Sequence, residues 1–160
     1  MTGNERNFEI ARATTETDLA LCFAIRETVF VGEQGVAAAL ERDGDDVVAI
    51  HLLARAGGVP LGTARALIKP DGVTAKIGRV AVLKPARGTG LGKALMRSFL
   101  SEPALAHVTQ FVLHAQVQAV AFYERLGYVQ HGGVFDEAGI PHVSMILTMD
   151  RRMPMVPVQS

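Results

Sequence analysis

The segment Arg87-Gly88-Thr89-Gly90-Leu91-Gly92 constrains the fold more than any other part of this chain. It joins an apolar stretch over residues 74–83 to a helical pattern of apolar residues that begins at Leu91. Glycines at such a junction let backbone N–H groups approach an anion at the start of a helix. The segment therefore predicts a strand, an anion-binding turn and a helix in succession.

Two widespread phosphate-binding motifs do not fit this turn. A nucleoside-triphosphate loop requires glycine at position 87 and Ser or Thr at position 94, where this chain has Arg87 and Ala94. A dinucleotide fingerprint that starts at Gly88 requires glycine at position 93, where Lys93 stands, and a βαβ unit around it. The turn therefore belongs to another class of anion site.

The rest of the chain is consistent with one α/β domain over residues 1–150, in which hairpin strands come first and strand–helix units follow. Strands are predicted over residues 8–13, 47–56, 59–68, 74–83, 107–115, from 128 onward and over 142–149. Helices are predicted after a cap at Thr17 or Asp18, from Leu91, and over 119–126 with a stop at Gly127. Turns are predicted at 57–58, 70–72, 132–133 and 137–139, and a frayed tail over 151–160.

Composition restricts the partners. The chain has 160 residues with 16 Lys plus Arg and 16 Asp plus Glu, so no charge excess favours nucleic acid. No uncharged stretch reaches the roughly 20 residues needed to span a bilayer. The N-terminus lacks the pattern of a secretory signal, and Cys22 has no second cysteine to pair with, so we expect a cytoplasmic protein.

Three motifs in order resemble the GCN5-related N-acetyltransferase (GNAT) family. The first is the glycine turn, with its Arg-x-x-Gly-x-Gly pattern, and the second is the preceding segment over residues 79–85. The third is Ala119-x-x-Phe122-Tyr123-Glu124-x-Leu126-Gly127-Tyr128. The resemblance implies a GNAT fold, with a twisted mixed sheet, an antiparallel meander, splayed fourth and fifth strands and flanking helices.

Further segments resemble a bacterial subgroup of the family whose substrates are uncharacterised. These are Val29-Phe30-Val31-x-Glu33-Gln34, the acidic run through Asp43 and Asp46, and Gly139-Ile140-Pro141-His142. The chain departs from the family at one place, since Gln116 stands where members often have asparagine.

The resemblance implies that acetyl-coenzyme A is the acyl donor. The strand would bind the pantetheine arm, with a backbone N–H near Val82 polarising the carbonyl, and the glycine turn would hold the pyrophosphate. The implied cofactor-binding residues are Val80, Ala81, Val82, Arg87, Gly88, Thr89, Gly90, Leu91, Gly92, Lys93, Gln116, Ala119, Phe122 and Tyr123.

Tyr123 has the position at which the family places a tyrosine that hydrogen-bonds the departing sulfur. A phenol with a pKa of about 10 can donate to a thiolate whose parent thiol has a pKa near 8.5. The alternative is an aromatic residue that only packs on the helix face beside Phe122 and Leu126.

The candidates for the general base are Glu33, His51 and His142, because an ammonium acceptor must lose a proton before it attacks. His51 lies inside a predicted strand and is alternatively a structural histidine. His142 begins the last strand and is alternatively a polar strand end. Glu33, Glu41 and Asp43 could attract a cationic amine, or they belong to a solvated loop.

The sequence thus predicts an acyltransferase that passes an acetyl group directly to a primary amine, most simply on a small molecule. No Cys or His set has the spacing of metal ligands, and we expect no metal cofactor. The alternatives are an acyl-CoA-binding sensor or interaction module that does not turn over, and an acetyltransferase acting on protein lysines or N-termini. A late edge strand could pair with a second copy, which makes a homodimer one expected partner.

Overall fold

The computed structural model describes residues 7–150, and the predicted tail over 151–160 lies outside the described residues. The described chain forms two compact units, one of residues 7–67 with 77–101 and one of residues 68–76 with 102–150. No helix within 7–150 combines the length and the apolarity needed to cross a membrane. The prediction of one domain over residues 1–150 stays a prediction.

The first unit contains the early strands in the order β1, β2, β3, β4. Their bounds are β1 Phe8–Arg12, β2 Ile50–Ala56, β3 Val59–Ile68 and β4 Thr74–Val82, with the last residue of β3 and the first three of β4 in the second unit. Strand β2 pairs antiparallel with both β1 and β3. Ala56 lies opposite Val59, which confirms the hairpin predicted at Gly57-Gly58, and both glycines have a positive φ.

Helix α1 (Glu16–Arg26) begins two or three residues earlier than the sequence indicated. Its N-cap is Thr15, whose Oγ1 accepts a hydrogen bond from the Asp18 N–H at 3.1 Å, so the predicted cap at Thr17 or Asp18 was wrong. The chain continues directly as a π-helix over Glu27–Glu33. Along this face Cys22, Ile25 and Val29 are buried in one apolar cluster.

The loop before β2 is more ordered than the sequence suggested. It holds the one-turn helix α2 (Ala38–Glu41) and a 3₁₀ turn over Gly44–Val47. Asp43 caps this turn by accepting from the Asp45 N–H at 3.1 Å. The turn takes up residues that were predicted to be strand, and β2 therefore begins at Ile50 rather than at residue 47.

Helix α3 (Leu91–Ser98) follows the glycine turn, as predicted. A 3₁₀ turn over Lys84–Ala86 precedes the turn, and another over Phe99–Ser101 ends the helix. Leu91, Leu95 and Met96 are buried, which confirms the apolar face read from the sequence.

The second unit contains β5 (Gln110–Gln116), α4 (Val120–Arg125), β6 (Val129–Glu137) and β7 (Ile140–Thr148). The strands lie in the order β5, β7, β6, and both pairs are antiparallel. Short 3₁₀ turns lie at Pro103–Leu105 and Val117–Ala119, so β5 begins at 110 and not at 107.

One predicted turn in this unit was wrong. Gly132-Gly133 does not reverse the chain but lies at an irregularity within β6, where the register to β7 shifts between His131 and Phe135. The turn predicted at residues 137–139 is confirmed, with a positive φ at Ala138 and Gly139 and with Glu137 opposite Ile140. Strand β7 consequently begins at Ile140, two residues before the predicted start.

Candidate active site

The glycine turn presents unpaired backbone N–H groups at the start of α3. Gly88 and Gly90 have φ values of +76° and +94°, a conformation that favours glycine, and Gly90 is the N-cap of the helix. Within residues 7–150 the N–H groups of Gly88, Thr89, Gly90, Gly92 and Lys93 form no hydrogen bond. A helix N-terminus with several free donors is suited to an anion such as a pyrophosphate.

Side-chain contacts hold this turn and the helix start in place. Thr89 Oγ1 donates to the Ala86 carbonyl and lies 3.4 Å from the Leu91 N–H. Gly62 of β3 lies so near the helix that a Cβ there would be 3.1 Å from Leu91 Cδ2. The turn is therefore a fixed structure rather than a loose loop.

Arg87 contacts protein groups on both sides of its guanidinium. Its Nε donates to the Val82 carbonyl at 2.8 Å, and its Nη2 lies 2.7 Å from Glu33 Oε1. The sequence predicted Arg87 as a phosphate contact and Glu33 as a candidate base, without linking them. The ion pair means that the Glu33 carboxylate already holds a cation.

A strained residue lies inside β4 just before Val80, Ala81 and Val82. Arg79 has a φ of +54°, which is unusual for a residue with a side chain. Its guanidinium donates to the carbonyls of Glu41 and Leu40 at 3.1 and 3.2 Å. The surrounding contacts therefore offset the backbone strain and tie β4 to the loop before β2.

Three arginines and three carboxylates of the first unit form a connected set, the arginine cluster: Arg26, Arg65, Arg79, Glu41, Asp43 and Asp46. Arg26 lies 2.5 Å from Glu41 and 2.7 Å from Asp46. Arg65 lies 2.7 Å from both Asp43 and Asp46, and Arg79 lies 3.2 Å from Asp43. The charges of the six side chains sum to zero.

Asp46 shows how strongly the cluster holds its carboxylates. Burial alone raises its pKa, but the hydrogen bonds and charges of Arg26 and Arg65 outweigh burial and lower the pKa to about 2. Glu41 is only 3% exposed, so the prediction that it belongs to a solvated loop was wrong. Glu41, Asp43 and Asp46 are thus neutralised by arginines of the cluster, whereas the neighbouring Asp45 is exposed and forms no ion pair within residues 7–150.

His51 is buried and bonded to backbone. Its Nε2 lies 2.9 Å from the Asp46 carbonyl oxygen, and its ring meets the Phe23 ring edge-to-face at 5.6 Å. Because a carbonyl only accepts, Nε2 carries the hydrogen. Its Nδ1 is buried and has no hydrogen-bond partner within residues 7–150. The structural interpretation and the proton relay are both compatible with these contacts.

Tyr123 lies in α4 of the second unit and is 8% exposed. Burial raises the pKa of its phenol to about 12. Its ring meets those of Phe122 and Tyr128 edge-to-face at 5.0 and 6.0 Å. The packing role and the predicted role as a donor are both compatible with this geometry, since no hydrogen bond within residues 7–150 occupies the phenol oxygen.

His142 belongs to a group of three side chains from three strands, the histidine–glutamate cluster: His114, Glu137 and His142. His114 Nδ1 lies 2.7 Å from Glu137 Oε1, and His142 Nε2 lies 3.8 Å from Glu137 Oε2. Phe135 packs edge-to-face on His114 and stacks on His142. The carboxylate is thus flanked by two imidazoles.

The hydrogen bonds of the cluster determine which nitrogen of His142 can take up a proton. Its Nδ1 lies 2.7 Å from the Ile140 carbonyl, which only accepts, so the neutral ring carries its hydrogen on Nδ1. Nε2 then has a free lone pair on the side of Glu137. Burial raises the pKa of Glu137, but the hydrogen bond from His114 and the charges of His114, His142 and Lys76 outweigh it and lower the pKa. Glu137 therefore stays ionised beside Nε2.

The remaining predicted residues lie around the end of β5. Gln116 is half-buried and accepts from Gln118 Nε2 at 2.6 Å, while Ala119 and Phe122 are half-buried at the start of α4. Within residues 7–150 no group of three His, Cys, Asp or Glu side chains is arranged to hold a metal ion.

Comparison with known proteins defines the family. A family model described as an acetyltransferase (GNAT) domain matches residues 13–149. The chain belongs to the GNAT family. It is 40% identical to the YyaT protein of Bacillus subtilis over 90% of this chain and 98% of that protein. It is 38% identical to the uncharacterized N-acetyltransferase YjcF of the same organism, over 84% of this chain and 95% of that one.

Solved structures support the same family assignment. An acyl-CoA N-acyltransferase from Pseudomonas aeruginosa is 34% identical and superposes with a TM-score of 0.74, covering 89% of this chain and 99% of the other. The α/β GNAT fold class and the family predicted from the sequence are thereby confirmed. This GNAT protein is an acyltransferase, and acetyl-CoA is the co-substrate that its family uses.

The structure groups the predicted site residues and adds others. Arg87 and Glu33 form an ion pair. His51 contacts neither of them and is bonded to the Asp46 carbonyl. Sequence reasoning missed His114 and Glu137, although a histidine inside an apolar strand and a glutamate at a hairpin turn were visible signals. Their pairing crosses 23 positions of the chain, so spacing alone could not reveal it.

Proposed function

We propose that this GNAT protein moves an acetyl group from acetyl-CoA directly to a primary amine of a small molecule. The N–H groups that are unpaired within residues 7–150, those of Gly88, Thr89, Gly90, Gly92 and Lys93, support the donor, because they fit the oxygens of a pyrophosphate at a helix N-terminus. When bound, acetyl-CoA supplies the acetyl thioester. The residues of this chain then have three tasks: to hold it, to remove a proton from the amine and to stabilise the departing sulfur.

The first unit would hold the cofactor along β4 and the glycine turn. The backbone of Val80, Ala81 and Val82 would bind the pantetheine arm, and a backbone N–H near Val82 would polarise the thioester carbonyl. The helix dipole of α3 and the exposed Lys93 add positive potential at the turn. Among the residues of the second unit, those proposed to contact the cofactor include Gln116, Ala119 and Phe122.

The observation that carries the proposed chemistry is the free lone pair of His142 Nε2 beside an ionised carboxylate. His142 Nε2 would accept the proton that an ammonium acceptor must lose, and Glu137 would stabilise the imidazolium at 3.8 Å. The amine nitrogen then forms a bond to the acetyl carbon while the carbon–sulfur bond breaks, and the second proton that the nitrogen must lose passes to the departing thiolate to give coenzyme A. No metal takes part in this proposal.

Tyr123 would serve the leaving group. A phenol with its pKa raised to about 12 remains protonated at neutral pH. It can therefore donate a hydrogen bond to the departing sulfur.

The proposed donor site is tested by calorimetric titration with acetyl-CoA, coenzyme A and ATP. Gly90→Ala introduces strain at φ +94° without charge, whereas Gly90→Glu adds a negative charge in the turn. We expect the wild type to bind both coenzyme A species and not ATP, and Gly90→Glu to weaken binding far more than Gly90→Ala. Far-UV circular dichroism confirms that each variant is folded. A folded wild type that does not bind acetyl-CoA would overturn the proposal.

A further inference from the structure

A surface depression of about 830 Å³, hereafter the cavity, lies open to solvent in the first unit beside the end of β1, helix α1 and the loop before β2. Its lining includes Arg12, Phe23, Arg42, Val47 and His51. The volume is in the range of small-molecule sites. We infer that this cavity binds a small organic carboxylate through Arg12 and Arg42, with the apolar part of the ligand near Phe23 and Val47.

The charges of the lining favour an anion. The carboxylates of Asp43 and Asp46 also line the cavity, but Arg65 and Arg26 already hold them at 2.7 Å. Arg12 and Arg42 form no ion pair among residues 7–150. The cations of the lining are therefore available to a ligand, whereas the anions are not.

Arg42 is held in a geometry that suits a carboxylate. Its guanidinium carbon lies 3.7 Å from the centre of the Phe23 ring. Stacking uses the face of the guanidinium and leaves its N–H edges free, and these edges match the two oxygens of a carboxylate. Phe23 is itself braced by the His51 ring at 5.6 Å.

Most of the remaining lining is apolar and adds a requirement on the ligand. Ala13, Leu19, Val47 and Ala49 line the cavity together with Phe23. An inorganic anion would leave this surface uncovered, whereas a carboxylate on an aromatic or aliphatic group would cover it. The geometry thus favours an organic acid over free phosphate.

The cavity is distinct from the glycine turn. In the sheet, Arg12 of β1 lies opposite Leu52 of β2, and His51 of β2 lies opposite Arg65 of β3. The cavity therefore lies at the end of β3 that contains Arg65. Leu83 donates to the Leu61 carbonyl, which places the glycine turn toward the opposite end of β3. A carboxylate bound in the cavity would therefore not occupy the position proposed for the phosphates of acetyl-CoA.

Calorimetric titration with benzoate tests this site, with benzamide as the uncharged match of the same shape and inorganic phosphate as the anion without an apolar group. We expect benzoate to bind the wild type at least tenfold more tightly than either of the other two. Arg42→Ala should abolish benzoate binding and Arg42→Lys should weaken it. Arg97→Ala, which removes an exposed arginine of α3 outside the cavity, should leave it unchanged.

Acetyl-CoA titration of Arg42→Ala keeps this inference separate from the proposed function, since the variant should bind the cofactor like the wild type. Equal binding of benzoate and benzamide, no benzoate binding, or unchanged binding in Arg42→Ala would each overturn the carboxylate site. Two sources of the carboxylate are then distinguished with 4-(aminomethyl)benzoate. A higher KM for its acetylation in Arg42→Ala at unchanged kcat identifies the acceptor, and a rate change by benzoate with other amines identifies an effector.

Discussion

The arginine cluster and the histidine–glutamate cluster are both groups of charged side chains, but they differ in how completely they are paired. In the first, three arginines and three carboxylates satisfy one another, and Arg26 and Glu41 are 1% and 3% exposed. In the second, one carboxylate faces two imidazoles, each with a nitrogen that has no hydrogen in the neutral ring. The arginine cluster is saturated, because every charge is paired, and it can hold a loop against a strand. The histidine–glutamate cluster is unsaturated, because its ring nitrogens without hydrogen can accept a proton.

The largest expected effect comes from breaking the saturated cluster. Arg26→Ala leaves Glu41 buried without its 2.5 Å partner, and the loss of one partner from a buried pair costs about 3–5 kcal/mol. Urea unfolding followed by circular dichroism measures the loss. Arg55→Ala is the control, because its pair with Asp18 is about 30% exposed and should cost less than about 1 kcal/mol. Equal losses of stability in Arg26→Ala and Arg55→Ala would contradict the structural role assigned to the arginine cluster.

Removing the base of the unsaturated cluster should affect rate rather than folding. His142→Gln keeps a polar side chain of similar size, and loss of a general base lowers kcat by about 100-fold or more. His131→Gln, which changes an exposed histidine of β6, should behave like the wild type. A normal rate in His142→Gln would show that another group accepts the proton.

Acid should weaken the saturated cluster through Asp46. Its pKa is lowered to about 2, so its contribution to the free energy of unfolding is complete above its ordinary value near 3.8. That contribution, about 2 kcal/mol, is lost as the pH falls through about 2. Urea midpoints between pH 5 and 2 measure this, and Asp46→Asn should flatten the slope while Asp45→Asn should retain it. The same dependence of the urea midpoint on pH in Asp46→Asn and Asp45→Asn would show that groups other than Asp46 cause the loss of stability in acid.

The smallest effect should come from the bridging carboxylate. Glu137→Gln keeps a hydrogen bond acceptor for His114 but removes the charge near His142. We expect kcat to fall about fivefold, since the imidazolium that forms on His142 during the reaction loses a neighbouring anion. A kcat unchanged from the wild type would show that Glu137 only holds His114 in place.

Local features of this fold were predictable and long-range pairings were not. Gly57-Gly58 and the glycine turn act through φ values that few other residues adopt, so the sequence located them. Gly132-Gly133 is also a pair of glycines, but it lies at an irregularity within β6. A bulge and a hairpin turn can both require a positive φ, so the glycine pair alone does not distinguish them. The acidic run looked solvated because its arginine partners lie 15 to 38 positions away along the chain.

The most direct test of the proposed reaction is the transfer of an isotopically labelled acetyl group from acetyl-CoA to a panel of small primary amines, followed by mass spectrometry. The wild type should form an N-acetylated amine in step with the release of coenzyme A, and His142→Gln should form about 1% as much. Release of coenzyme A without acetylation of any amine, or the same product yield from both proteins, would contradict direct transfer with His142 as the base.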